Sequence, residues 1–525
     1  MSHVGGPDVG VFLGLLVAVA VVAAFVRFVR IPYTVALVLA GLALAVTPNV
    51  SGIALTPGII LTVFLPVLLF HGAYNLDVAE LRANFTAIAL LAVPGVVATA
   101  GLVGAMLHFA GSLPWSVAVL FGTIVAATDP VAVLAVFGEL GAPRRLTTIV
   151  TAESLFNDGT ALVFFATALG IATAHAVDVA ATAEQFVVAV IGALALGAVV
   201  ALVGGRVLRR IDDALLETTV TLIMAYGGYL LAERLGSSGP LETVAAGLFL
   251  GAQGERVMSP TTRMQARATW EFLDFLANSL LFLLVGLALR SVSALAVTRQ
   301  GVTLWWLLMV AIVAVIVARA LAVGSVQLLQ TLRRRPLPRG WPLVVSWAGL
   351  RGGVSLAAAL SVPLALPQRD LLLTLTFGVV LFTLLGQGLT IRPLLDRLGI
   401  AAPQGKGRTV ELAQGRLLLT EAAMAELDML RRAGAAVGEP TDGLAEFYAK
   451  QRRELRAELG ALYRTEPALA RAQERQARRR LLIVQREAAH DAYTDGQVSA
   501  ETLRTLIAAI DRELVTLEAE EDTKG

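Results

Sequence analysis

From about residue 9 to residue 394 the chain is a succession of apolar runs, many near twenty residues long, joined by short polar loops. An α-helix rises about 1.5 Å per residue, so about twenty apolar residues cross the roughly 30 Å hydrocarbon core of a bilayer. At that depth every backbone N–H and C=O must be satisfied within the structure, which leaves helices as the element for such runs. About thirteen spans are counted, near 9–28, 32–47, 53–72, 84–110, 115–138, 148–173, 183–205, 215–233, 240–254, 269–289, 302–330, 342–366 and 370–394. The fold class is therefore an all-α polytopic membrane protein. Charged residues make up 16% of the chain, below the quarter or so of a typical soluble protein. They concentrate after residue 400, where all three lysines lie. That asymmetry divides the chain into a membrane domain, 1–400, and a soluble helical domain, 401–525. The first run has Arg27 and Arg30 after it and no basic residue directly before it, the reverse of a cleaved signal peptide, and reads as a retained span.

Loop charge sets the expected orientation. The loops after odd-numbered spans hold fifteen arginines: Arg27, Arg30, Arg82, Arg144, Arg145, Arg206, Arg209, Arg210, Arg256, Arg263, Arg267, Arg333, Arg334, Arg335 and Arg339. The loops after even-numbered spans hold four: Arg234, Arg290, Arg299 and Arg369. Basic loops stay in the cytoplasm, so the N-terminus is expected outside and the C-terminal domain inside, at the cell (inner) membrane. The tail reads as helical over Thr409–Arg432 and Pro467–His490, with a last helix to about Glu520.

Two spans are interrupted in their middles. The fifth carries Thr128-Asp129-Pro130, and the proline removes a backbone donor. The twelfth carries Gly349, Gly352 and Gly353 around Arg351. Irregular backbone at membrane depth is tolerated where it is buried in protein or lines a cavity. Broken helices at corresponding places, here with spans 1–6 and 8–13 as inverted repeats, point to a secondary transporter.

The sixth span concentrates polar groups. Glu153, Ser154, Asn157 and Asp158 lie within little more than one turn, and Ser154 and Asp158 share a face, as do Glu153 and Asn157. An ionisable residue at this depth is a functional-site hypothesis by default. Burial disfavours the charged carboxylate, so Asp158 is expected to hold a proton or to coordinate a hard cation. These states exclude each other, and that competition is the minimum machinery of an exchanger. Ser154, Thr128, Asn157 and nearby carbonyls are candidates for the rest of the cation- and proton-binding site. Glu153 needs a partner, and Arg319 in span eleven is preferred over Arg351. Asp129 suits the positive end of a half-helix, and Arg351 suits half-helix C-termini and unpaired carbonyls. His71, ending span three, reads as a proton sensor, a polar ligand or an interfacial residue. Asn278 reads as an interhelical hydrogen bonder.

With these residues in view, the chain resembles the monovalent cation:proton antiporter-1 family, sodium/proton exchangers of the NhaP and NHE type. The resemblance covers nearly all of residues 9–400. It rests on Ala127-Thr128-Asp129-Pro130-Val131-Ala132-Val133, Glu153-Ser154-Leu155-Phe156-Asn157-Asp158-Gly159, Asn278-Ser279-Leu280-Leu281-Phe282, Arg319, and Gly349-Leu350-Arg351-Gly352. In the tail, Asp495-Gly496-Gln497-Val498-Ser499 is similar to the cytoplasmic ends of bacterial members. The resemblance implies a homodimer, a core crossed by two broken helices and elevator-like alternating access. It implies ion binding at Asp158 with Ser154 and Thr128, a structural Glu153–Arg319 pair, and, through Asn157-Asp158, one-for-one electroneutral exchange. Many relatives carry an acid where His71 aligns, so cation affinity or pH dependence is expected to differ here.

Other classes fit less well. A cation channel would show a repeated filter or rings of like charge, and none is evident. The spans hold no His-Glu metal motif, no Ser-His pair and no paired catalytic aspartates, so no catalytic residues and no cofactor are expected. A sodium-coupled symporter would need a larger substrate pocket. A net charge of +2 suggests no nucleic-acid partner, and the absence of cysteine excludes disulfides and thiolate sites. The cation is left open among Na⁺, K⁺ and Li⁺.

Overall fold

The computed structural model describes residues 9–26, 28, 31–45, 56–173, 179–333, 336–400, 406–433, 439–465 and 467–522. Arg27, Arg30, Arg334 and Arg335, counted above among the loop arginines, lie outside the described residues. Every regular element described is helical. The chain divides into two compact units, 1–400 and 401–525.

The first unit holds α1 (Val9–Val26), α2 (Tyr33–Leu44), α3 (Leu65–Tyr74), α4 (Val78–Ala92), α5 (Pro94–Phe109), α6 (Trp115–Ile124), α7 (Val131–Leu140), α8 (Arg144–Thr173), α9 (Val179–Leu208), α10 (Ala214–Arg234), α11 (Gly239–Val257), α12 (Pro260–Leu332), α13 (Trp341–Trp347), α14 (Gly353–Leu360), α15 (Arg369–Phe382) and α16 (Gly388–Arg397). Wide π-helical turns at Ile59–Phe64 and Thr383–Gln387 lead into α3 and join α15 to α16. Among the described residues, seven stretches are long and apolar enough to cross a membrane, with shorter apolar helices beside them.

Boundaries follow local chemistry. The span expected to start near 84 starts at Val78, because the Asp77 carboxylate accepts from the Ala79 and Glu80 amides at 2.9 and 3.2 Å. Arg82 therefore sits on a helix rather than in a loop. Pro94 then divides that span into α4 and α5. Asp213 and Ser238 cap α10 and α11 in the same way. Gly141, at φ 64°, closes α7 in the left-handed conformation.

Spans ten and eleven differ from expectation, since helical backbone runs through 290–301, where a loop was expected. The run cannot be straight. Leu281 packs where a Cβ on Gly353 would stand, and the Arg319 Nε lies 2.8 Å from where one on Gly349 would stand. A straight helix would separate residues 281 and 319 by about 57 Å, whereas Gly349 and Gly353 are four residues apart. The two halves, Pro260–Ala288 and Thr303–Leu332, are thus separate crossings, each apolar enough to span. The first half packs backbone to backbone on α2. A Cβ on Gly41 would overlap the Leu283 carbonyl oxygen, and one on Gly286 would overlap that of Val38. Small residues permit this approach between membrane helices. Outward-facing positions of α1 and α9, such as Phe12, Leu13, Val17, Val188 and Ile191, remain exposed and apolar, as a lipid-facing surface requires.

The second unit contains α17 (Lys406–Arg432), α18 (Glu439–Thr465), α19 (Pro467–Thr494) and α20 (Ala500–Asp522). Helix α18 was not singled out from the sequence. It lies antiparallel to α17, with Leu459 on Val410 and Ala413 and the Gln414 amide donating to the Tyr463 hydroxyl at 2.6 Å. Gly496, at φ 72°, turns the chain from α19 into α20, whose first amides are capped by Ser499.

Candidate functional site

The site is built where the two interrupted spans meet. Helix α6 stops at Ile124 and α7 starts after Pro130; α13 stops at Trp347 and α14 starts at Gly353. The extended stretches touch directly, with the Asp129 amide donating to the Leu350 carbonyl at 2.8 Å. The Asp129 carboxylate accepts from the Val131 amide at 3.0 Å, with the Gly353 N–H as a further partner. One carboxylate thus sits at the positive ends of both outgoing half-helices. A Cβ on Gly352 would overlap it, so glycine there is a packing requirement. Arg351 is fully buried, and its Nη1 donates to the Ala126 and Ala127 carbonyls at 2.7 and 2.9 Å. Its own amide donates to Thr383 Oγ1 at 3.1 Å. Asp129 and Arg351 therefore satisfy the backbone groups that the breaks free.

Helix α8 passes beside this crossing. Glu153 meets Arg319 in a buried bidentate pair, both N···O distances 2.9 Å, and Arg319 also donates to the Val345 carbonyl at 3.1 Å. Arg351 is not the partner of Glu153. Asn157 Nδ2 donates to Glu153 Oε1 at 2.9 Å and to Thr128 Oγ1 at 3.2 Å. Ser154 Oγ donates to the Thr128 carbonyl. Glu153 and Asn157 thus face the Arg319 side of α8, while Ser154 and Asp158 face the other, so Asn157, expected in the ion-binding set, braces Glu153 instead.

That other side is a cavity of about 800 Å³. Thr128, Asp129, Ser154 and Asp158 line it, as do His71, Asp274 and Asn278. Its rim includes Asp77, Ala142, Arg144 and Arg267. Asp158 is half-buried, and among the described residues no hydrogen bond or ion pair engages its carboxylate. Its charged neighbours are Asp129, Glu153 and Arg351. Every other ionisable group at the crossing is matched to an opposite charge or to backbone dipoles. Asp158 has no such match and lines the cavity. His71 stands in the same cavity, with Asn75 Nδ2 at 3.2 Å from its Nδ1 and with Glu271 and Arg267 as charged neighbours. Asp274 was missed by sequence reading. It lies five residues into the expected span ten, nearer a membrane face than Asp158 is in its span.

The sodium/hydrogen exchanger, transmembrane family profile matches residues 15–397. The chain belongs to this family. The match takes in every element that builds the exchanger crossing and its cavity. Among curated proteins, the Na⁺/H⁺ antiporter NhaP of Pseudomonas aeruginosa is 40% identical over 364 residues, 66% of this chain and 83% of that one. ApNhaP of Aphanothece halophytica is 38% identical over 404 residues, 76% of each. NhaG of Bacillus atrophaeus is 32% identical over 528 residues, covering 97% of this chain and 98% of its own. The fold matches that of the sodium proton antiporter MjNhaP1 from Methanocaldococcus jannaschii, with a TM-score of 0.60 at 22% identity over 74% of this chain and 97% of that one. This sodium/hydrogen exchanger is therefore a multi-pass membrane protein and a transporter rather than an enzyme.

Proposed function

We propose that the protein exchanges Na⁺ for H⁺ across the cell membrane, one for one, with proton and cation competing for Asp158. The observation that carries this reading is the uncompensated Asp158 carboxylate at the wall of an open cavity, one turn from Ser154 and beside Thr128. Glu153 is neutralised by Arg319, and the Asp129 carboxylate accepts from the N–H groups at the half-helix starts. Asp158 is the carboxylate we take to cycle. Releasing one proton for one monovalent cation there moves no net charge. Ser154 Oγ, Thr128 Oγ1 and carbonyls of the extended stretch are the proposed further oxygen ligands, as a hard cation requires. K⁺ or Li⁺ in place of Na⁺ is the second reading.

The rim residues Arg144 and Arg267 belong to the arginine-rich set assigned to the cytoplasm, so the cavity represents the inward-open state, with the N-terminus outside and residues 401–525 cytoplasmic. Alternating access then moves the crossing, held as one piece by Asp129 and Arg351, past the other helices of a homodimer. His71, at the cavity wall, senses pH or tunes cation affinity.

The test is reconstitution in proteoliposomes with an inside-acid gradient, following lumenal pH as Na⁺, K⁺ or Li⁺ is added outside. Cation-dependent alkalinisation should vanish in Asp158→Asn and be indifferent to clamping the membrane potential with valinomycin and K⁺. Exchange surviving Asp158→Asn removes the central assignment. A rate that follows the clamp removes the one-for-one stoichiometry.

A further inference from the structure

The reading above uses one cavity carboxylate and leaves another unexplained. Asp274 and Asn278 lie one turn apart on the first half of α12, share a face, and both line the cavity. Asn278 is the hydrogen-bonding neighbour of Asp274. Its Oδ1 is buried without a partner among the described residues, and the residue is only 7% exposed. Ser355 on α14 also lines the cavity, and its buried Oγ likewise has no partner. A buried amide oxygen left without a donor costs free energy unless something electropositive meets it. An anionic carboxylate beside it has the same requirement.

Position along the helix gives the pair a place on the path. Arg267 is at the cavity rim and Leu281 packs on Gly353 at the crossing. Asp274 is seven residues from each, about 10 Å inward from the rim and about 10 Å short of the crossing. The rim arginine does not oppose cations in full, because Arg267 is paired with Glu271 at 3.2 Å. Asp129 is a charged neighbour of both Asp158 and Asp274, so the two carboxylates flank the same crossing.

We propose that Asp274 and Asn278 Oδ1 form a second, weaker cation station on the α12 wall of the cavity, which captures the monovalent cation on its way to Asp158. The proposal rests on the exchanger reading and extends it. Its ligands are few, and water completes the coordination, as Na⁺ in a hydrated vestibule permits. The station is therefore weak enough to release what it captures, which a path to a transport site requires. It raises the cation concentration facing Asp158 without joining the proton exchange itself.

The experiment compares wild-type protein with Asp274→Asn and Asp274→Glu in proteoliposomes, measuring Na⁺-dependent exchange over a range of Na⁺. Asp274→Asn should raise the apparent KM for Na⁺ about fivefold, the effect of one unit charge a few Å from a cation in a water-filled cavity. Vmax should stay within twofold, and Asp274→Glu should stay near wild type. A second readout is equilibrium binding of ²²Na⁺ to purified protein. Asp158→Asn should retain weak saturable binding, and Asp158→Asn combined with Asp274→Asn should lose it. Should Asp274→Asn not survive extraction, Asn278→Leu carries both measurements with the charge intact and the oxygen removed. An unchanged KM, a loss confined to Vmax, or ²²Na⁺ binding abolished by Asp158→Asn alone would overturn the station. Wild-type exchange that persists in Asp158→Asn would instead overturn the exchanger assignment, so the two failures are distinct.

Discussion

Replacing Glu153 by glutamine tests the buried pair that frames the site. Glu153 and Arg319 are 2% and 7% exposed at their side chains and meet through two parallel 2.9 Å contacts. Glutamine keeps the shape and the bond from Asn157 but leaves the guanidinium without a counter-charge in a dry interior. Breaking a buried pair from one side typically costs about 3–5 kcal/mol, because a bare charge remains. At 1.36 kcal/mol per decade this is roughly a 10²- to 10⁴-fold loss in the ratio of folded to unfolded protein. Arg319→Gln should cost a similar amount, since it strands the Glu153 carboxylate. Removing both charges together, as Glu153→Gln with Arg319→Gln, should cost less than either single change. What it still loses is the bond from Arg319 to the Val345 carbonyl, worth about 1–3 kcal/mol if that oxygen stays unsatisfied. The assay is thermal unfolding in detergent, read by tryptophan fluorescence and by loss of the monodisperse peak, with the four proteins forming a double-mutant cycle. The sign of the coupling is the decisive quantity. If both single variants melt with wild type, or if the double variant is simply the sum of the two, the pair is not neutralising a buried charge and the electroneutral argument at Asp158 loses its footing.

Competition at Asp158 predicts that the apparent KM for Na⁺ rises as the pH falls, approaching about tenfold per unit once the site is mostly protonated; a KM flat across the acid range refutes a shared site. Gly352→Ala should lower the melting temperature and, with it, exchange, because its methyl displaces the Asp129 carboxylate from the half-helix ends; wild-type melting and turnover would mean that Asp129 need not sit there. Gly286→Val should destabilise the α2–α12 contact by about 1–3 kcal/mol or more, as overpacking does, and is read by the same melting assay. Cutting the chain near residue 400 should leave residues 1–400 extractable and folded, since the two units have separate cores; aggregation of that fragment alone would refute the division.

Much of the membrane unit was legible because a bilayer allows so few solutions. Apolar runs of adequate length mark helices, and Pro130 and Gly352-Gly353 mark where two of them break. The polar turn of α8 is visible for the same reason, since Glu153 and Asp158 have no business in a purely structural span. What the sequence left open were the pairings. Arg319 and Arg351 are both buried cations near Glu153, and only packing decides that Arg319 takes the carboxylate while Arg351 turns to the Ala126 and Ala127 carbonyls. Nor does periodicity reveal that Glu153 and Asn157 face Arg319 while Ser154 and Asp158 face the cavity; both pairs are four apart, and either face could have been the open one. Asp274 was overlooked for a different reason. It lies only five residues into its expected span, where a carboxylate passes for an interfacial residue until the cavity is seen to reach it.

The same arrangement explains why so much polar structure surrounds one aspartate. A cation ligand works only if the protein leaves it partly unsatisfied, since a carboxylate already bonded to arginine or to backbone amides has little to offer a passing ion. Such a group destabilises its surroundings, and broken helices at membrane depth destabilise them further by freeing carbonyls and amides. Here both burdens are met by neighbours. Asp129 serves the two half-helix N-termini, Arg351 serves two freed carbonyls, Thr383 serves the Arg351 amide, and Arg319 takes Glu153. With those charges fixed in place, the crossing is held independently of what binds at Asp158. The site is then free to alternate between proton and cation without its frame responding to which is present. Substitutions in that frame should therefore cost stability first and exchange as a consequence, whereas Asp158→Asn should cost exchange with the melting temperature held or raised. The same melting and transport assays, run on both kinds of variant, separate frame from ligand, and a destabilised Asp158→Asn protein would show that the division drawn at α8 is wrong.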